Sequence, residues 1–139
     1  MTSYVPVPPT DEPVMLSRDV LLLLALVDMT TAGSRVLRAL LALHDPETGA
    51  ADISQNEMCA LLGATKPTVN RGFKELKAAG IAWRIEGTQG KYQLHPVLTN
   101  GKMASPQAVP ELKAQAPETF TEARRRRFAR QVANLGLSA

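Results

Sequence analysis

Apolar residues along this chain change their spacing several times, and each change marks an element boundary. From Val20 to Val27 they run almost without a break. That pattern predicts a helix over about 18–28, buried on most sides against a core or against a second subunit. Ser17 stands where the N-cap belongs, and Asp19 in the first turn favours the helix dipole. Residues 14–16, just ahead of it, read as a short strand. After Gly33 and Ser34 the spacing becomes helical. Val36, Leu37, Leu40, Leu41 and Leu43 recur with Arg35 and Arg38 between them, predicting an amphipathic helix over 34–43. His44-Asp45-Pro46-Glu47-Thr48-Gly49 then reads as a turn, because proline and glycine both oppose continuation.

Ser54 and Glu57 have the spacing of a capping box. Met58, Leu61 and Leu62 are expected on the buried face of the short helix that follows. Gly63, able to take positive φ, ends it. Two residues later Thr65 is expected to cap another helix, with Pro67 in its first turn, where a missing N–H does little harm. Val69, Phe73 and Leu76 form its inward stripe, and Gly80 stops it. Alternation then takes over at Ile81-Ala82-Trp83-Arg84-Ile85. Gly87-Thr88-Gln89-Gly90 makes a tight turn, and Lys91-Tyr92-Gln93-Leu94 returns as a second strand. Helix, tight turn, helix and β-hairpin in that order predict a mainly α fold with a small β-hairpin: a winged helix-turn-helix over residues 14–100.

Outside that span the pattern weakens. Residues 1–13 hold four prolines and little to bury, so they read as a flexible arm. Residues 101–117, with three more prolines, read as a linker. Residues 118–139 form a basic tail or helix. As a helix it would align Phe128, Val132 and Leu135 on one face, able to pair two subunits or bind a protein partner. As a disordered tail, Arg124, Arg125, Arg126 and Arg127 would add non-specific phosphate affinity. A solvated helix end with no dedicated role is the third possibility.

Composition refines this picture. With 139 residues, 45% apolar but only 4% aromatic, the chain suits one domain with a mainly aliphatic core. The net charge of +3 is modest, but its distribution is uneven. Residues 1–30 carry −3, residues 31–101 carry +2, and residues 102–139 carry +4. Basic charge gathers in the middle and at the end, as contact with nucleic acid requires. The single cysteine, Cys59, rules out an internal disulfide and suits a cytoplasmic location, on the nucleoid or a plasmid. Residues 21–27 are too short to span a bilayer, which takes about twenty apolar residues. They also lack the basic start of a signal peptide.

A helix that reads the major groove needs polar side chains outside and an anchored face inside. With Val69, Phe73 and Leu76 inward, Thr65, Lys66, Thr68, Asn70, Arg71 and Lys74 fall on the outer and flanking surfaces. Asn and Arg carry the hydrogen-bonding edges that match adenine and guanine. Thr68, Asn70 and Arg71 are therefore the expected base readers, with Lys66 and Lys74 on phosphate. Thr88 and Gln89 at the hairpin tip, flanked by Arg84 and Lys91, would approach the minor groove. Scattered Lys and Arg along one helix are ordinarily a solvated surface. Here the order of elements around them favours a double-stranded DNA contact.

Nothing in the sequence points to catalysis, a metal or a cofactor. His44 with Asp45 is explained as a polar turn. Ser54 is occupied as a helix cap, and Cys59 suits a buried, inert position. No Walker loop, dinucleotide fingerprint or metal-spaced cluster occurs. Trp83 is expected either against the helical core or beside the wing.

The opening Ile53-Ser54-Gln55-Asn56-Glu57, then Leu62-Gly63, then Thr68-Val69-Asn70-Arg71 with Leu76 resemble the helix-turn-helix of the MarR and Crp/Fnr classes. The resemblance implies that Thr68, Asn70 and Arg71 are recognition-helix positions. No cyclic-nucleotide-binding residues precede them, so the likeness to Crp is expected to stop at this domain. Across residues 14–101 the order of elements is closer to RepL-type plasmid replication proteins. Their wing strand closes like Gly90-Lys91-Tyr92-Gln93-Leu94-His95-Pro96, with Asn where this chain has His95. These resemblances imply a transcriptional regulator or a plasmid replication initiator, and the overly apolar first helix with the small footprint of one winged domain suggests a homodimer. A winged-helix module that binds a protein is the remaining class.

Overall fold

The computed structural model describes residues 3–114 and 118–137. Residues 1–2 of the expected arm, 115–117 of the expected linker and 138–139 of the expected tail lie outside the described residues. Among the described residues five α-helices are arranged around a three-stranded antiparallel sheet. The helices are α1 (Arg18–Ala25), α2 (Thr31–Leu43), α3 (Gln55–Leu62), α4 (Lys66–Ala78) and α5 (Glu122–Asn134). The strands are β1 (Ala50–Asp52), β2 (Ala82–Arg84) and β3 (Lys91–Leu94), in the order β1-β3-β2.

The expected hairpin is therefore two-thirds of a sheet. Its β3 lies in the centre, pairing Trp83 with Gln93 on one side and Ala51 with Tyr92 on the other. β1 leaves no trace in the pattern because three residues of Ala-Ala-Asp have neither strand propensity nor room to alternate. The strand expected at 14–16 does not form. Val14 and Met15 are exposed, and β1 takes the place beside β3.

Two helix boundaries move for identifiable reasons. α1 stops at Ala25 rather than 28, and the chain bends so that Val27 can enter the core. Of its apolar run only Val20 and Leu23 are buried in the helix, while Leu21 and Leu22 are each 52% exposed. α2 starts three residues earlier than expected, with Thr30 as its N-cap accepting from Gly33 N at 3.4 Å. Gly33 marks a close approach, not a break. A Cβ there would lie 2.9 Å from the Glu75 carboxylate.

The core joins α2 and α4, with Val36, Leu40, Val69, Phe73 and Leu76 buried together with Met58, Ile81 and Leu94. Gly72 lets the two helices touch, because a Cβ there would meet Val36 Cγ2 at 2.7 Å and Ala32 O at 2.9 Å. α3 carries the capping box as expected, Glu57 N to Ser54 Oγ at 3.1 Å and Ser54 N to Glu57 Oε1 at 3.2 Å. Gly63 ends it at φ +59°. Its inward stripe is Met58, Cys59 and Leu62, not Leu61, which is 56% exposed. Cys59 is a free, half-buried thiol.

Residues 102–114 contain no helix or strand, yet they are tied to the domain. Lys113 N donates to Ala79 O at 2.8 Å, and Leu112 is buried. Gln93, fully enclosed, donates to the carbonyls of Gly49, Leu94 and Lys102 and accepts from Ala104 N at 2.9 Å. Trp83 sits beside this segment, its indole N–H donating to Gln107 Oε1 at 2.9 Å. α5 packs Phe128 and Val132 against α1. The face expected to suit a second subunit is thus covered by the chain itself.

Candidate nucleic-acid interface

α4 begins at Thr65 without a side-chain cap. The Thr65 hydroxyl pairs instead with that of Thr68 at 2.9 Å, across the first turn. Pro67 occupies that turn, as expected. Val69, Gly72, Phe73 and Leu76 are buried, so the opposite side faces water. Arg71 and Lys74 project from it, both exposed. Lys66 and half-buried Asn70 lie one turn apart along one flank, and half-buried Thr68 lies on the other. Lys77, exposed in the last turn, continues the Lys66 and Asn70 flank. It is missing from the contacts expected above, although its spacing from Asn70 places it on that flank in the sequence too.

Glu75 is the one acidic residue on this helix, and it turns away from that surface. Its carboxylate accepts from Thr30 N at 2.9 Å and from the Thr30 hydroxyl at 2.5 Å, at the N-terminus of α2. Partial burial pushes its pKa up. Hydrogen bonds from Thr30 and the Gly33 backbone, with the charge of Arg71, outweigh that and hold it below the usual carboxylate value. A second brace comes from α2, where Arg35 donates to Leu62 O at the end of α3, at 2.5 Å. The exposed side of α4 is thereby left to Lys66, Asn70, Arg71, Lys74 and Lys77.

The wing is short and stiff. Thr88 N and its hydroxyl both return to Ile85 O, at 3.2 and 2.6 Å, and Gly87 adopts φ +77°. Thr88 thus holds the turn with the group expected to reach outward, leaving Gln89 exposed at the tip beside Glu86. Arg84 and Lys91 are exposed on β2 and β3. Lys91 stands directly across the ladder from Asp52. Two contacts set the wing against the rest of the domain. Phe73 of α4 stacks on Tyr92 of β3 with ring centroids 4.3 Å apart, and Ile53 N donates to Gly90 O at 2.7 Å. These contacts fix the position of the wing relative to α4 in the structure.

The α5 arginines form a separate group. Arg126 pairs with Glu122 at 3.2 Å, and Arg125 donates to Glu118 O at 3.0 Å. Arg124 and Arg127 border a groove between α1 and α5. Among the described residues no helix is long and apolar enough to cross a membrane, and no cluster of His, Cys, Asp or Glu could hold a metal ion.

Residues 34–95, from α2 through β3, match the Crp-like helix-turn-helix domain family. With the wing in place, the fold is a winged helix-turn-helix. The oxidised form of Staphylococcus aureus CymR is a similar solved structure, 16% identical, covering 78% of this chain and 85% of that one at a TM-score of 0.38. The Vibrio cholerae ferric uptake regulator Fur is similar at 20% identity, covering 88% of this chain and 92% of that one at a TM-score of 0.36. No curated protein matches the sequence.

Proposed function

We propose that this winged helix-turn-helix chain binds double-stranded DNA as a homodimer, reading sequence with α4 and acting as a transcriptional regulator. The observation that carries this is the fate of Glu75. By capping α2 it removes the only negative charge from the outer side of α4. Arg71 and Asn70 offer edges for guanine and adenine. Lys66, Lys74 and Lys77 offer charge to phosphate, and Thr65 and Thr68 stand at the helix start. Gln89, Arg84 and Lys91 would follow the neighbouring groove, with Thr88 shaping the turn that presents them. A dimer is supported by exposed Leu21 of α1 and by the small footprint of one winged domain. Two recognition helices about one DNA turn apart would double the contact.

Replication initiation is the second reading. His95 Nδ1 accepts from Val97 N at 3.1 Å and so caps the 3-10 turn at Pro96–Leu98, a role open to the Asn of the RepL pattern. The location of the DNA site, in a promoter or in an origin, separates the two readings.

The test is selection from random-sequence duplexes across a salt series, using wild type and Arg71→Ala. Wild type should enrich a defined, preferably palindromic site. Arg71→Ala should lose about 1–3 kcal/mol of preference at one base pair while keeping weak, salt-sensitive binding. If wild type enriches no site, or Arg71→Ala selects the same site equally well, α4 does not read bases.

A further inference from the structure

Between α1 and α5 lies a groove of about 320 Å³, large enough for a small organic molecule. Its floor is apolar: Leu22, Ala25 and Leu26 from α1, with Phe120 and Phe128 from the C-terminal segment. Its rim is cationic, formed by Arg124 and Arg127, three residues apart and hence on one side of α5. Among the described residues no carboxylate lines it. Four successive arginines divide their work. Arg125 and Arg126 are bound to Glu118 O and Glu122, whereas the guanidinium groups of Arg124 and Arg127 have no partner among the described residues.

An apolar trough closed at one side by two uncommitted guanidinium groups fits a molecule with a greasy body and a planar anion at one end. We propose that this groove is a binding site for a small free amphipathic carboxylate, of the medium-chain fatty acid class. The chain lies on Leu22, Ala25 and Phe128, and the carboxylate is held by Arg124 and Arg127 through charge-assisted hydrogen bonds. The competing explanation is that the long arginine stems merely cover apolar surface while their heads stay in water. A second copy of this chain seated on Leu22 is the other occupant to be distinguished.

The test contains no DNA, so its outcome is separable from that of the DNA reading. Octanoate and octanol are titrated calorimetrically into the full-length chain, its Arg124→Gln/Arg127→Gln variant and its Ala25→Phe variant. Ala25 is solvent-exposed, and circular dichroism checks that each variant is folded. Octanoate should bind wild type saturably at one site. The double glutamine variant should weaken octanoate on the order of tenfold and leave octanol unchanged. Ala25→Phe, which fills the trough, should abolish binding of both. The site is overturned if octanoate does not saturate wild type, or if folded Ala25→Phe binds it as tightly. It is equally overturned if the groove is filled by a second copy, seen as a wild-type dimer that ignores octanoate and dissociates on Ala25→Phe. Capture on anionic phospholipid vesicles without affinity for free octanoate would also overturn it.

Discussion

His95 is a titratable side chain enclosed in the domain, held between the Val97 N–H and the Pro110 carbonyl. Burial lowers its pKa below the ordinary value, with the Pro110 hydrogen bond opposing in part. Above about pH 6.5 both folded and unfolded chains are neutral here, so stability is flat. Below that value the unfolded chain takes up a proton that the folded chain refuses, and stability falls by up to about 1.4 kcal/mol per pH unit. The fall ends once the pH has passed the lowered folded pKa. Urea unfolding followed from pH 8 to pH 5 should show this slope in wild type and lose it in His95→Asn, whose side chain can keep the cap on Val97. An unchanged slope would show that another group titrates. Glu75 works in a lower window. Its pKa is depressed, so its contribution is present above the ordinary carboxylate value and is lost as the pH drops through its folded pKa. The two acid effects therefore set in at different pH values, that of His95 first as the pH falls. Neither is legible in the sequence, because burial and hydrogen-bond partners belong to the folded chain.

The contact between α2 and α4 decides how far the candidate recognition helix stands out from the body. It depends on Gly72, where the helices approach too closely for a side chain. Alanine is the better helix former by about 1 kcal/mol, which argues for stabilisation by Gly72→Ala. Against that, its Cβ would press on Ala32 O, a backbone atom that cannot swing aside, and on Val36 Cγ2. Overpacking of this kind costs about 1–3 kcal/mol, and because one neighbour is rigid the upper part of that range applies. Gly72→Ala should thus lose about 1–2 kcal/mol in urea unfolding, and DNA affinity should fall with it as α4 shifts. A gain in stability would mean that the helices separate at no cost. The sequence pattern is informative for α3 and α4, whose capping box, Gly63, Pro67 and inward stripe all act locally. It misplaces Leu61, since a helix of eight residues offers several stripes and only its neighbours choose among them.

Over the molecule as a whole, α5 folds back on α1 and buries Phe128 and Val132 there. That changes the argument for self-association. The apolar run of α1 serves the chain's own core on one side and α5 on another, leaving Leu21 as the surface available to a partner. Sedimentation at micromolar concentration without DNA should give a mass twice the 15.0 kDa of one chain. Leu21→Arg should return it to one chain without loss of helix content. A wild-type mass of 15.0 kDa would remove the homodimer from the proposed function. Residues 102–114 belong to the same level of organisation. Their order comes from Gln93, Trp83 and Ala79, which lie nine or more residues away in sequence.

Local chemistry alone makes the centre of this protein legible in its sequence. Ser54 with Glu57, Gly63, Pro67 and the stripe of Val69, Phe73 and Leu76 specify their elements through interactions within four residues, which one sequence displays directly. The outward position of Arg71 and Lys74 follows from the same periodicity. Tertiary structure alone decided the rest, because each remaining feature joins residues far apart in the chain. β1 exists because β3 offers it hydrogen bonds, and residues 14–16 stay unpaired because β3 has no further edge. Glu75 leaves the exposed side of α4 because Thr30, forty-five residues earlier, needs an acceptor. Two of four identical arginines face a groove because α5 happens to meet α1 along that side, a choice no spacing rule within the run could make.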